Sequence, residues 1–235
     1  AMLFFTFQIY GDFAGYSYIA IGTAKLFSFD LMTNFRQPYL ALSFSDFWKR
    51  WHISLSTWFR DYVYIPLGGN KKGSMKTNIN VLVTFLVSGL WHGANWTFVL
   101  WGGVHGILNI ISTKAKATKT PKVLKISIVF IATMFTWVIF RANSIHDVIY
   151  FLENFFKIKE SGIIGLPTMG TIEFIKLLVF IVILFIADII ISYFEKHKIR
   201  LSNKPSILII VTSLLLLSLY LFGSFEVQEF IYFQF

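Results

Sequence analysis

Five histidines are present in this 235-residue chain, and three of them fall in apolar or aromatic surroundings where an imidazole can act on a proton. His92 lies in Gly89-Leu90-Trp91-His92-Gly93-Ala94-Asn95-Trp96. An imidazole with an ordinary pKa of about 6.5 suits proton transfer near neutrality. The competing reading is a buried histidine that ties two helices together by a hydrogen bond. His52 lies in Phe47-Trp48-Lys49-Arg50-Trp51-His52-Ile53-Ser54-Leu55-Ser56-Thr57-Trp58-Phe59-Arg60-Asp61. That run predicts an interfacial helix, with aromatics at headgroup level and Lys49, Arg50 and Arg60 available to phosphate or substrate anions. Its plainer reading is a surface helix with an incidental histidine, in which Arg60 and Asp61 form a local ion pair.

His105 follows His92 by 13 residues (105 − 92), a spacing that neither demands nor forbids convergence. A metal site of His52, His92 and His105 would lack both an HExxH-type spacing and a nearby carboxylate, so no metal is expected. His146 and His197 read as solvated loop residues. Asp12 follows Gln8 by one helical turn and is flanked by Gly11 and Gly15, a face suited to close helix packing or to lining a cavity. Asp188 has the same reading. There is no cysteine, which removes thiol nucleophiles and thiolate ligands. No phosphate-binding glycine loop or Gly-x-Ser-x-Gly elbow occurs, and Gly68-Gly69-Asn70-Lys71-Lys72-Gly73 reads as a turn.

These side chains must be positioned by membrane helices. The chain is 56% hydrophobic and only 14% charged, against about 25% charged in soluble domains, and its mean hydropathy is +0.66. A soluble fold of this length has too little interior for that much apolar surface, so lipid must be the solvent for much of it. The expected spans are residues 3–27, two limbs within 78–112, 125–140, 172–194 and 205–225. Residues 44–64 and 144–156 mix aromatics with charges and read as interfacial or re-entrant. The fold class is therefore all-α, a multi-pass transmembrane bundle, with residues 1–235 one membrane domain. The chain begins inside an apolar element without a signal-peptide pattern, which suggests the C-terminal part of a longer protein.

The net charge of +9 reads as topology control rather than nucleic-acid binding, because the basic residues fall between apolar stretches. Lys114, Lys116, Lys119, Lys122 and Lys125 form one basic loop, and Lys196, Lys198, Arg200 and Lys204 another. Placing both in the cytoplasm puts residues 35–76 inside as well, and the 142–170 connection and the C-terminus outside. The stretch 77–113 is 37 residues long (113 − 77 + 1) without a formal charge. A single helix of that length would run about 55 Å, too long for one crossing. It must bend, and Gly93-Ala94-Asn95 is its one central turn-like sequence. The first limb, 77–92, would span roughly 24 Å and leave His92 at the bend, below the outer surface.

The runs Gln8 to Ser17, Phe47 to Gly69, Gly89 to Trp96 and Trp101-Gly102-Gly103-Val104-His105-Gly106 resemble the membrane-bound O-acyltransferase family, and within it the bacterial alginate O-acetyltransferase branch. The final Phe230 to Phe235 resembles that branch's C-terminus. The likeness is specific over residues 4–112 and topological over 113–225. It implies an enzyme of the bacterial cytoplasmic membrane in which an acyl donor (acetyl-CoA or another activated carrier) enters from the cytoplasm and a hydroxyl acceptor approaches from outside, meeting in a tunnel. No bound cofactor is implied. The family's catalytic histidine corresponds to His92 and its partner position to His52, with Trp91, Asn95, Arg60, Asp61, His105 and Asp12 as candidates to line the tunnel or touch substrate. Tyr18 and Gly11 depart from common family residues and bear on tunnel shape.

His92 would remove the hydroxyl proton, and His52 would orient the acceptor or polarise the donor carbonyl. The implied acceptor is an extracytoplasmic polysaccharide, with membrane lipid as surroundings and an extracytoplasmic acetyltransferase as a possible partner. D-alanyl, peptidoglycan or lipid acyl transfer are alternatives within the family. A transporter is the alternative outside it, but no internal repeat or broken helix with charged partners is seen.

Overall fold

The computed structural model describes residues 2–114, 120–155, 171–197 and 205–222. Every regular element among them is helical: α1 (Met2–Leu26), a 3₁₀ turn (Pro38–Leu40), α2 (Phe44–Trp48), α3 (Ile53–Phe59) continued by a π turn (Arg60–Tyr64), α4 (Ser74–His92), α5 (Trp96–Lys114), α6 (Lys122–Arg141), α7 (Ile145–Phe155), α8 (Thr171–Lys196) and α9 (Pro205–Phe222). The described residues fall into two compact units, one within residues 1–169 and one within 170–234.

In the first unit, α4 and α5 form an antiparallel hairpin folded at residues 93–95, where the sequence placed the bend. Glycine permits their close approach. A Cβ on Gly89 would lie 2.2 Å from the Phe98 carbonyl oxygen, and one on Gly102 would lie 2.2 Å from that of Phe85. The backbones therefore touch where any side chain would separate them. α4 starts at Ser74, three residues before the expected limb, and its 19 residues make it about 28 Å long rather than 24 Å. The bend is kept, but the limb comes nearer to a full crossing.

Residues 44–64, expected to be interfacial or re-entrant with a helix over 47–61, form two short helices and a π turn instead of one continuous helix. Ser43 opens α2, its Oγ accepting from the Asp46 amide at 3.0 Å while Asp46 Oδ2 accepts from the Leu42 amide at 2.9 Å, a reciprocal cap. The helix lasts one turn and breaks at His52, which sits in the left-handed region at φ 44. The preceding loop supplies the reason. The Arg36 amide donates to the Arg50 carbonyl, the Ile53 amide to the Asn34 carbonyl, and the Ser54 amide to Asn34 Oδ1, so the 34–36 backbone takes groups that a continuous helix would have used internally. Phe47, Trp51 and Phe59 are buried, and the segment folds inward on its aromatic face.

Around Trp51 an aromatic core gathers Tyr10, Phe35, Tyr39, Phe47 and Trp137 at centroid separations of 5.0 to 6.1 Å. Tyr39 donates its hydroxyl to the Thr6 carbonyl at 2.6 Å and fixes this core to α1. The opposite face of α1 carries Gly11, Asp12, Gly15 and Gly22. That face is exposed within the described residues, with nothing within 4 Å of a Cβ at any of the three glycines.

In the second unit, α8 exposes Val179, Val182, Ile183, Ile186, Ile189 and Ile190, and α9 exposes Leu214 to Leu217, surfaces that suit lipid and not water. Asp188 is buried. Among the described residues, two helical stretches are both long and apolar enough to cross a bilayer on composition alone, Lys122–Arg141 and Phe174–Lys196. α1, α4 and α5 form where spans were expected, yet their glycines and their polar and aromatic residues keep them below that threshold. The C-terminal hexapeptide and parts of both basic loops lie outside the described residues.

Candidate active site

His92 is the last residue of α4, and the hairpin bend follows it directly. Its half-buried ring is met by the rings of Trp101 at 5.2 Å and 89°, Phe140 at 5.2 Å and 82°, and Trp91 at 5.0 Å and 78°. An aromatic collar on α4, α5 and α6 thus holds the imidazole. The indole nitrogens of Trp101 and Trp137 are buried in this region without a hydrogen-bond partner among the described residues. A buried donor left unpaired costs about 1–3 kcal/mol.

His52 comes from the break between α2 and α3. Its ring stands edge-on to Phe13 at 4.6 Å, and Nδ1 is 3.4 Å from Ser54 Oγ. Burial, and then the nearby His92, push its imidazole down to about 3. The fold therefore brings two histidines 40 residues apart (92 − 52) close enough for a charge on one to be felt by the other. A non-glycine residue held at positive φ is strained by about 1–3 kcal/mol, a condition found most often where a side chain must be aimed.

A cavity of about 490 Å³ runs beside α4, bounded also by α2, α3 and the end of α5. Thr77, Val81, Thr84 and Ser88 line it from one stripe of α4. From Thr77 to Ser88 that stripe rises 11 residue steps (88 − 77), about 17 Å, and one further turn along the same face is His92. Ser56, whose amide donates to the His52 carbonyl, also lines the cavity. The histidines themselves do not line it; their neighbours one turn away do. Lys49, Arg60, Asn70 and Asn78 add cationic and amide groups.

The other residues singled out in the sequence divide by environment. Arg60 pairs with Asp61 at 2.7 Å on the surface, and the hydrogen bond from Arg60 holds the Asp61 carboxyl below the usual carboxylate range; Arg60 also faces the cavity. Trp91 is 57% exposed, its ring 6.5 Å from Phe59 in the cavity wall. Asn95 is spent on architecture: Oδ1 accepts from the Thr97 amide at 3.1 Å, capping α5, and Nδ2 donates to the Asn143 carbonyl at 2.9 Å. His105 is fully buried in the α5 interior. Asp12 lies on the open face of α1. Among the described residues no three histidine or carboxylate side chains gather to hold a metal. Trp48, Ser56 and Ser88 were not singled out beforehand; the polar stripe Thr77-x₆-Thr84-x₃-Ser88 was the available signal for the last.

A helical hairpin that carries a histidine at its bend, beside a partly polar cavity, is the class of membrane protein this fold and site define. The chain belongs to the membrane-bound O-acyltransferase family, whose model matches residues 1–150. Over 146 residues it is 49% identical to the "Probable alginate O-acetylase AlgI" of Azotobacter vinelandii, covering 61% of this chain and 29% of that protein. It is 42% identical over 157 residues to a peptidoglycan O-acetyltransferase of Helicobacter pylori, covering 64% and 30%. To a teichoic acid D-alanyltransferase of Streptococcus thermophilus it is 36% identical over 118 residues, covering 47% and 28%. The matched region thus spans less than a third of each relative.

Proposed function

We propose that the protein is a membrane O-acyltransferase that moves an acetyl group from an activated donor to hydroxyls of an extracytoplasmic polysaccharide, with His92 as general base. The observation that carries this reading is the position of His92, at the bend of a hairpin without formal charge over residues 77–113, one turn beyond a cavity and within electrostatic reach of His52. In the reaction the acceptor oxygen attacks the acyl carbonyl while its proton passes to a ring nitrogen of His92. The tetrahedral intermediate collapses with loss of the donor group, and that group takes the proton from the imidazolium. A positioned base contributes typically 10²–10⁴-fold. His52 lies close enough to bind the acceptor hydroxyl or donate to the developing oxyanion. Lys49 and Arg60 favour an anionic donor such as acetyl-CoA.

The relatives' names support sugar-polymer or peptidoglycan acceptors, and the D-alanyltransferase likeness makes D-alanyl transfer the second reading. The test compares ester-linked acetate and D-alanine on surface polymers of cells with and without the gene, and with a full-length His92→Ala variant. Loss of acetate in both altered strains is expected. Normal acetylation in the variant rejects His92 as base, and loss of D-alanine alone selects the second reading. We further infer that the enzyme works in the bacterial cytoplasmic membrane, beside an extracytoplasmic acetyltransferase and with its C-terminus outside. A C-terminal reporter active in the cytoplasm would overturn that orientation.

A further inference from the structure

His105 takes no part in the chemistry above, yet both of its ring nitrogens are committed. Trp48 Nε1 lies 3.2 Å from Nδ1, and Nε2 lies 2.9 Å from Thr136 Oγ1, which donates to the Thr133 carbonyl at 2.7 Å. An indole N–H can only donate, so Nδ1 must accept. The proton of the neutral ring then sits on Nε2 and points to Thr136, whose own proton is already directed at Thr133. The wire has one consistent polarity. Neither nitrogen is left to meet a substrate.

The residue at the start of this wire does face the ligand space. Trp48 lines the 490 Å³ cavity opposite Thr84 and Ser88 of α4. Its indole packs on Trp101 at 5.7 Å, and Trp101 in turn meets His92 at 5.2 Å. α2, which carries Trp48, is five residues long and cannot hold a side chain rigidly by itself. The hydrogen bond to His105, on the well-packed α5, supplies that constraint.

We propose that His105 is a positioning residue: through Trp48 Nε1 it sets the indole wall of the cavity and thereby limits the acyl group admitted there to a small one. This rests on the acyltransferase reading for the identity of the ligand, but the positioning itself is tested without it. The chain has no cysteine, so a cysteine introduced at half-buried Thr84 reports on the cavity wall. In full-length protein in membrane vesicles, any cysteines outside these residues replaced, the rate of its modification by methanethiosulfonate ethylammonium is measured in two variants. His105→Asn places an amide oxygen where Nδ1 accepts from Trp48. His105→Gln places an amide nitrogen where Nε2 donates to Thr136.

Positioning through Trp48 predicts a rate within twofold of wild type for Asn and at least fivefold faster for Gln. Equal rates, or the reverse order, overturn it, because a residue that only fills the core would not distinguish them this way. A cysteine at Thr133, fully buried, stays unreactive if the fold is intact and identifies any variant that has unfolded. With acetyl-CoA and propionyl-CoA as probes, His105→Gln should raise the propionyl-to-acetyl ratio of transferred ester at least threefold, and Asn should not. An unchanged ratio with a faster-labelled Thr84→Cys overturns the specificity role. No transfer by the wild type counts against the functional reading and leaves the labelling comparison to judge the positioning.

Discussion

His92 and His105 lie on the two limbs of one hairpin and show two fates for a histidine in apolar surroundings. In the middle of α5, His105 is fully enclosed, its nitrogens bonded to partners on α2 and α6. At the bend, His92 is half-buried, collared by ring edges, and close to a second imidazole held at a strained backbone position. Identity and hydrophobic context are alike at the two sites. They differ in depth and place: one ring is fully enclosed in mid-helix, and the other is half-buried at a helix end, one turn beyond a cavity. On the proposed reading the enclosed ring positions a wall and the ring at the helix end takes the proton.

The sharpest way to break this contrast is His92→Gln in the full-length protein. Acyl transfer should fall by about 10²-fold or more with an unchanged thermal midpoint in detergent; near-normal turnover would make His92 as structural as His105. His52→Ala should cost about 10- to 100-fold in kcat. His52→Asn should cost less, because asparagine tolerates positive φ and keeps a polar group near His92; equal losses would show that the imidazole itself is required.

Gly102→Ala tests the hairpin itself. Its Cβ would sit 2.2 Å from the Phe85 carbonyl, and overpacking of this kind costs about 1–3 kcal/mol, read as a lower thermal midpoint. Gly11→Ala, with nothing within 4 Å of its Cβ among the described residues, should leave that midpoint unchanged or slightly raised. The smallest effect is expected at the exposed Arg60–Asp61 pair. Arg60→Gln should leave the fold intact and change turnover less than threefold at saturating donor. It should also let Asp61 titrate at higher pH, since the hydrogen bond that depresses its carboxyl is lost; a chemical-shift titration of the Asp61 carboxyl would check this.

Local pattern was enough for much of the molecule. A 37-residue stretch without charge (113 − 77 + 1) is too long to cross once, so a bend at Gly93-Ala94-Asn95 followed from helix rise and bilayer thickness before any coordinates. The all-helical class and the glycine turn after Gly68 followed from hydropathy and composition in the same way. These are properties of a segment and its solvent, carried by neighbouring residues.

The roles of the histidines needed the third dimension. His105 is satisfied by Trp48, 57 positions before it, and Thr136, 31 positions after it. Asn95 is taken by Asn143, 48 positions away. The helix expected across residue 52 breaks because Asn34 and Arg36 compete for its backbone groups. Periodicity tells which face of a helix is apolar, but not which atoms another helix will present to it. That depends on the rotation and depth of several helices packed at once, and there the chemistry of each imidazole is decided.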